Sequence, residues 1–340
     1  MLEVIKKFFY RLLIIIILFY LTIIIILFYI GPIETRTVRN NLNKNNINII
    51  VSLTTSPNKI NHIKLVLNSL SKQSIKPNKI YLNLPKNIEY IIPKWLQQDP
   101  SIIINRSKNY ESLTKLLPTL EQEQDPNVII ITVTDDNIYP KHMVRDLAKQ
   151  YLKETYPVNY KQAAAITGLG INFLFGPKFE LESYNLIISD RPSLNVISYG
   201  GVVYKRSFFK DDIFVAFNNM PKSCYLNEDL IISLYLMANN ISIVKITGIS
   251  YNEFVLNILN KNLLINKFFN YHAYSQCLAS LPNYNKVKYQ HAIIDRSKII
   301  YTQSGLEIFR YNINKLYYTY LSKIINYIPL VKSMIIMTFK

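Results

Sequence analysis

The sequence predicts an α/β fold built on a mostly parallel sheet flanked by helices, and two stretches carry that prediction. Asn48–Leu53 is a short apolar strand, Ile60, Ile63, Leu67 and Leu70 follow at helical spacing, and Lys79–Leu84 alternates as a second strand. Strand, helix, strand at this spacing is a crossover unit, so the two strands run parallel. The second stretch is Val128–Pro140, VIIITVTDDNIYP, a β-branched run that stops abruptly at Asp135, Asp136, Asn137 and a Tyr-Pro pair. It reads as a buried parallel strand that delivers acids at its C-terminal edge, where open α/β sheets bind ligands. Adjacent carboxylates repel and lose hydration unless something neutralises them. A divalent metal carrying a phosphorylated substrate answers that need, and a solvated loop with two acidic turn formers is the plain alternative.

Composition sets the limits. With 340 residues, 49% hydrophobic and 18% charged, the chain is long and apolar enough to fold around one large core or two modest ones. The formal net charge of +17 suits an anionic substrate, a membrane surface or nucleic acid. Lys, Asn, Ile and Tyr are abundant together, as an AT-rich coding sequence produces, and no Arg-rich arm, zinc-finger spacing or aromatic RNA-binding motif is present. A nucleic-acid partner is therefore not expected. Cys224 and Cys277 lie far apart without a CxxC, which excludes a sulfur-built metal site; two separate buried thiols are expected rather than a bridge.

Taken in order, residues 1–11 form a basic flank with Lys6, Lys7 and Arg11, and Leu12–Ile30 is an uninterrupted apolar run closed by Gly31-Pro32. Its length matches a hydrocarbon core, and the absence of a small-residue cleavage site favours a retained anchor over a signal peptide. The charge bias across it predicts a single-pass type II protein, with the remainder lumenal or extracytoplasmic. Asn105-Arg-Ser and Asn240-Ile-Ser are glycosylation sequons that fit this side or arise by chance in an Asn-rich chain. Residues 31–47, polar and without apolar periodicity, read as a stem. Residues 48–250 are expected to form the main folded domain. Within it Ser56 and Pro57 are placed to cap and open the first helix, Ile102–Asn105 is a third strand, and Asn109–Glu123 is an amphipathic helix. Residues 251–340 are a Tyr- and Asn-rich helical extension, in which Leu316–Ile336 is broken by Pro329 and Lys332 and reads as a packing or membrane-surface helix.

Five strings keep a common order: TTSPNKI, NYESLTKLLPTLE, IITVTDDNIYP, YGGVVYKRSFF and CYLNEDLIISLYL. Together they resemble a group of GT-A-type glycosyltransferases, over roughly Ile49 to Gly248. The resemblance implies a Rossmann-like GT-A domain behind a transmembrane helix, a UDP- or GDP-sugar donor, and a glycan, protein or lipid acceptor. It also implies Mn²⁺ or Mg²⁺ bridging the donor diphosphate and the Asp-rich strand end. Where relatives carry three aspartates this chain has Thr134-Asp135-Asp136. That register makes Asp136 and Asp135 the metal ligands and leaves Thr134, a hydroxyl without charge, toward the donor ribose. The register Asp135-Asp136-Asn137 is the alternative.

Other site residues follow on mechanical grounds. Thr54, Ser56 and Asn58 lie in the loop after the first strand, where they reach the base or ribose or simply cap a helix. Lys115 is placed to reach a phosphate or to decorate a helix surface. Gly200 and Gly201 let backbone approach a sugar closely, with Lys205 and Arg206 adding charge nearby. Asn227 is an N-cap, and Glu228 and Asp229 suit a first helical turn. The resemblance assigns Asp229 as general base on the acceptor hydroxyl, with Glu228 as second choice. His62, His142, His272 and His291 are scattered, and only the last two are options for a metal. Two rivals stand beside glycosyl transfer: a non-catalytic glycan- or nucleotide-binding protein, motivated by Thr134, and a metal-dependent phosphohydrolase using the same acids.

Overall fold

A computed structural model describes residues 32–152, 164–167, 170–175, 181–186, 191–192, 195–225, 227–246 and 271–280. The anchor stretch Leu12–Ile30, His291 and the Leu316–Ile336 segment lie outside the described residues, as does the His272 side chain. Among the described residues no helix is long and apolar enough to cross a membrane. The chain divides into a unit of residues 1–47 and a unit of residues 48–340. In the first, residues 32–44 form a helix, α1, where the sequence predicts an irregular stem. Val38 and Leu42, one turn apart and both buried, are the apolar pair that the composition of this stretch conceals.

The second unit is organised by an eight-stranded sheet with the order β3-β2-β1-β4-β10-β5-β11-β8. Its strands are β1 (Ile49–Thr54), β2 (Lys79–Pro85), β3 (Ile102–Ser107), β4 (Ile129–Thr132), β5 (Ala164–Thr167), β8 (Arg191–Pro192), β10 (Val202–Lys205) and β11 (Ser242–Lys245). As predicted, β1 pairs parallel with β2 and with β4, and β2 pairs parallel with β3. β10 runs antiparallel to both β4 and β5, which makes the sheet mixed. A separate three-stranded sheet, order β7-β6-β9, comprises β6 (Gly170–Phe175), β7 (Leu181–Leu186) and β9 (Asn195–Val196).

β1 and β4 are buried along nearly their whole length, as β-branched strands covered on both faces must be. Alternation divides their side chains between two layers. Ile50 and Ile130 share one apolar cluster with Tyr204, with Leu117 and Leu120 of α4 (Leu117–Gln122), and with Leu230 and Leu234 of α7 (Glu228–Ala238). α7 is buried through eight consecutive positions, Leu230–Met237, which ranks it as a core helix. α2 (Lys64–Ser71), with Val66, Leu67 and Leu70 buried, and α5 (Met143–Leu152) complete the frame around the sheet; α6 (Asp212–Asn218) adds Ile213 and Phe217 to the apolar cluster, and the short α3 (Lys94–Gln97) buries Leu96.

Three local predictions are corrected. α2 opens at Lys64 rather than at Pro57, because residues 57–63 form a chain of turns in which Ser56 O accepts from Lys59 N at 3.0 Å. The single helix expected over Asn109–Glu123 is two pieces, a 3₁₀ turn Glu111–Lys115 and then α4. Pro118, which lacks an N–H, suits the first turn of a new helix and not the interior of a long one. Cys224 and Cys277 are joined in a disulfide across 53 residues, with both residues buried. The bridge ties the turn Lys222–Cys224 to α8 (Tyr271–Ser280), where two separate thiols were expected.

Candidate active site

Strand order explains where the site lies. From β1 the chain passes to β2 and β3 on one side, while β4 pairs on the other side of β1. The loops leaving the C-terminal ends of β1 and β4 therefore part and open a crevice between them. There a cleft of about 480 Å³ is lined by Thr54, Thr55, Ser56, Lys59, Tyr90, Glu111, Ser112, Lys115, Thr134, Asp135, Asp136 and Glu228, among others.

At the strand edge Asp135 is fully engaged. Its Oδ2 accepts from Thr55 Oγ1 at 2.6 Å and its Oδ1 lies 3.1 Å from Lys59 Nζ. Tyr90 donates its hydroxyl to Thr55 O at 2.8 Å, which fixes the same loop from β2's side. Asp136 is exposed. Asn137 turns away, buried, with Nδ2 donating to Tyr199 O at 2.9 Å. Thr134 donates its backbone N–H to the Tyr139 hydroxyl at 2.8 Å, and burial raises the pKa of that phenol. The cleft thus presents Thr134-Asp135-Asp136 and not the alternative register ending at Asn137.

Opposite stands a buried ion pair. Lys115 Nζ donates to Glu228 Oε1 at 2.5 Å. Burial alone would lower the lysine pKa, but the carboxylates of Glu228 and Asp229 outweigh it and hold the pKa above its ordinary value. The backbone that carries Lys115 is pinned from the sheet: Ser52 Oγ donates to Lys115 O at 2.5 Å, and Asn83 Nδ2 donates to Ser52 Oγ at 3.0 Å and to Thr119 Oγ1 at 2.9 Å. Asn105 Nδ2 completes this network on Asn83 Oδ1 at 2.8 Å, so the nitrogen that a glycan would modify at the first sequon is used within the sheet. Glu111, at the cleft rim, adopts φ +51°, with its N–H donated to Asn109 Oδ1 at 2.8 Å.

Glu228 and Asp229 are separated by one step at the start of α7 and face different surroundings. Glu228 lines the cleft; Asp229 does not. Its carboxylate accepts from Ser198 Oγ at 2.6 Å and from Ser198 N at 3.1 Å. Burial, and then the neighbouring Glu228 charge, push the Asp229 pKa up to about 7, against the opposing effects of Lys115 and Ser198. The hydroxyls of Tyr204 and Thr132 are buried beside each other. Burial and the nearby carboxylates raise the Tyr204 phenol well above its ordinary value.

Several predicted site residues also make contacts within the fold. Asn227 makes no side-chain cap to α7; its Nδ2 donates back to Ser223 O at 3.1 Å. Thr54 Oγ1 donates to Asn83 O at 2.7 Å, and Ser56 Oγ bonds Asn58 Oδ1 at 2.5 Å. Gly200 and Gly201 do not line the cleft. Gly201 has φ +81°, and a Cβ there would lie 3.1 Å from Met143 Sδ and 3.2 Å from Leu147 Cδ1. Its close approach in the fold is to α5. Arg206 donates Nε to Glu123 O at 2.7 Å and its backbone N–H to Val128 O at 2.8 Å, at the far end of β4. It misses the site because β10 runs antiparallel to β4 and carries its C-terminal charges to the opposite edge. Thr55, Lys59, Tyr90 and Ser198 are contributors that sequence patterning did not single out, although Thr55 and Lys59 both lie inside the TTSPNKI string.

Of the strand-end acids assigned to a metal, Asp135 and Asp136 differ in their surroundings. Both oxygens of Asp135 are engaged by Lys59 and Thr55, which leaves Asp136 as the uncommitted acid of the pair. Among the described residues no group of three or more His, Cys, Asp or Glu side chains is arranged to hold an ion.

No protein-family model and no curated protein matches the sequence. Among solved structures, the chain is similar at 13% identity and a TM-score of 0.38 to 4-diphosphocytidyl-2C-methyl-D-erythritol synthase from Anaerococcus prevotii, over 61% of this chain and 90% of that one. It is similar at 14% identity and a TM-score of 0.37 to residues 1–349 of S. aureus TarS, over 73% of this chain and 71% of that one. To the same S. aureus protein in complex with UDP-GlcNAc the values are 14% and 0.36, over 74% of this chain and 81% of that one. Scores at this level carry no argument, so the fold rests on its own strand order and the site on its own geometry.

Proposed function

We propose that this chain transfers a glycosyl unit from a nucleotide-sugar donor, a UDP- or GDP-sugar, to an acceptor hydroxyl on a glycan, protein or lipid. The observation that supports it is the pairing of two kinds of group across one cleft. Strand-end hydroxyls and acids stand over the parallel edge of the sheet, and a lysine-held carboxylate from α7 faces them. The donor lies over the β1 and β4 ends, with Thr54, Thr55, Ser56 and Tyr90 along its nucleoside. The acceptor oxygen attacks the anomeric carbon as the bond from that carbon to the diphosphate oxygen breaks, and the electron pair leaves with the diphosphate. A base must take the hydroxyl proton. The resemblance assigns that role to Asp229, but the geometry favours Glu228, which reaches the cleft while Asp229 is bound to Ser198 and positions the start of α7. No step of this reading passes through a divalent ion.

The same reading makes the protein a type II membrane protein, anchored by Leu12–Ile30 with its catalytic unit outside the cytoplasm. The buried Cys224–Cys277 disulfide supports that side, since such bridges persist in oxidising compartments.

The test is turnover by the full-length protein, in mild detergent, of a panel of UDP- and GDP-sugars with candidate acceptors. Stoichiometric glycoside and nucleoside diphosphate are expected, with kcat in Glu228→Gln lower by about 10²–10⁴-fold and nucleotide binding retained. Release of inorganic phosphate would assign the protein to the phosphohydrolases, and donor binding without turnover would make it a binding protein.

A further inference from the structure

The Lys59 ammonium sits on the carboxylate that the sequence assigns to a metal. Its Nζ lies 3.1 Å from Asp135 Oδ1, and Thr55 Oγ1 closes the other oxygen at 2.6 Å. The chain is shaped to bring it there. Ser56 O accepts the Lys59 N–H at 3.0 Å, and Lys59 O accepts from His62 N at 2.9 Å and from Ile63 N at 3.2 Å. This knot of turns occupies residues that would otherwise extend α2, and it carries the lysine back over the end of β4. A hard divalent cation asks for several oxygen ligands, whereas the strand end here offers an Asp135 with a partner on each oxygen and an exposed Asp136. An ammonium has three donors. Asp135 takes one of them, and the Lys59 side chain remains 49% exposed where it lines the cleft.

We propose that Lys59 is the cation of this site: it neutralises Asp135 and binds the donor's diphosphate directly, so that turnover needs no divalent ion. The inference rests on the glycosyl-transfer reading and deepens it. Two acids bound it from the other side. Asp136 and Glu111 line the cleft, among the described residues without a lysine partner, and repel a bare diphosphate. If that repulsion outweighs Lys59, the donor enters only with a divalent ion.

The experiment uses the full-length protein and its Lys59→Ala and Lys59→Arg variants. Three quantities are measured: Mn²⁺ binding by electron paramagnetic resonance, UDP and GDP binding in EDTA by calorimetry, and nucleoside diphosphate release in EDTA and in Mn²⁺. The unmodified protein is expected to turn over equally in both and to bind no Mn²⁺ at micromolar concentration. Lys59→Ala should lose about tenfold or more in UDP or GDP affinity in EDTA, the effect of one charge-assisted bond. It should also gain Mn²⁺ binding, because Asp135 is freed beside Asp136. Lys59→Arg should keep nucleotide binding in EDTA. Mn²⁺ binding by the unmodified protein, together with loss of nucleotide binding or turnover in EDTA, overturns the proposal. If no sugar donor is turned over under any condition, the glycosyl-transfer reading fails, and Mn²⁺, UDP and GDP binding still decide the part played by Lys59. If neither UDP nor GDP binds in EDTA or in Mn²⁺, the proposal falls as well.

Discussion

Lys115 and Lys59 each hold a carboxylate on the wall of one cleft, and the two pairs are built in opposite ways. Lys115 and Glu228 are 6% and 17% exposed and 2.5 Å apart, whereas Lys59 and Asp135 are 49% and 13% exposed and 3.1 Å apart. Lys115 rides on a turn whose carbonyl is anchored to Ser52 and, through Ser52, to Asn83 and Thr119 of the sheet and α4. Lys59 rides on turns that precede a helix. A buried pair must keep its geometry, since either partner left alone is an uncompensated charge, while an exposed pair is screened and its lysine can be shared with a ligand. One cleft thus contains a rigid charge pair and an exchangeable one, and that contrast can be tested by removing each lysine.

The largest effect belongs to Lys115→Met. It keeps the side-chain length but leaves the Glu228 carboxylate without its partner, and should cost about 3–5 kcal/mol of stability in urea unfolding. Lys115→Met combined with Glu228→Gln removes both charges and should recover most of that loss. A single-variant cost below about 1 kcal/mol, typical of surface pairs, would place Lys115 in the same class as Lys59 and dissolve the contrast.

Asp229 sharpens the description of the rigid side through pH. Its pKa is raised from 3.8 to about 7 in the folded protein, by burial first and by the Glu228 charge second. Between these values the folded protein holds a proton that the unfolded chain has released. Its contribution to stability is complete below about pH 4 and is lost as pH rises to about 7. The change is on the order of a few kcal/mol at most. Asp229→Asn keeps an acceptor for Ser198 and should flatten this part of the profile of Tm against pH. In Lys115→Met the loss of an opposing positive charge should carry the slope to higher pH, a readout that packing alone would not move.

Those two predictions turn on residues that the sequence showed unequally. The parallel strands were legible because runs such as Val128–Val133 have a single plausible burial, and the strand-end rule then put Thr134, Asp135 and Asp136 in the cleft. Glu228 against Asp229 was not legible. One residue step at the start of a helix rotates a side chain by about 100°, and only the packing of α7 decides which carboxylate meets the cleft. Lys59 was hidden for a different reason. Ser56-Pro57 reads as a helix start, and a lysine on that helix would point to solvent, whereas the turns return it to Asp135. Arg206 and Gly201 depended on β10 running antiparallel, a long-range choice with no local signature. Cys224 and Cys277 could not be paired from spacing alone, because 53 residues separate them and their approach is made by α8.

The smallest stability effect is expected at Lys59, and its smallness is what makes it informative. Lys59→Ala removes a half-exposed partner from an Asp135 that keeps its bond from Thr55, so unfolding stability should change by no more than about 0.5 kcal/mol. Urea unfolding at low and at moderate salt checks this, since whatever the pair contributes should fade with screening. A loss of several kcal/mol, insensitive to salt, would mean that Lys59 is a structural strut like Lys115, and its removal would no longer report on ligand charge. A near-silent substitution, set beside the loss of UDP or GDP affinity expected in EDTA, separates a lysine that serves the ligand from one that serves the fold.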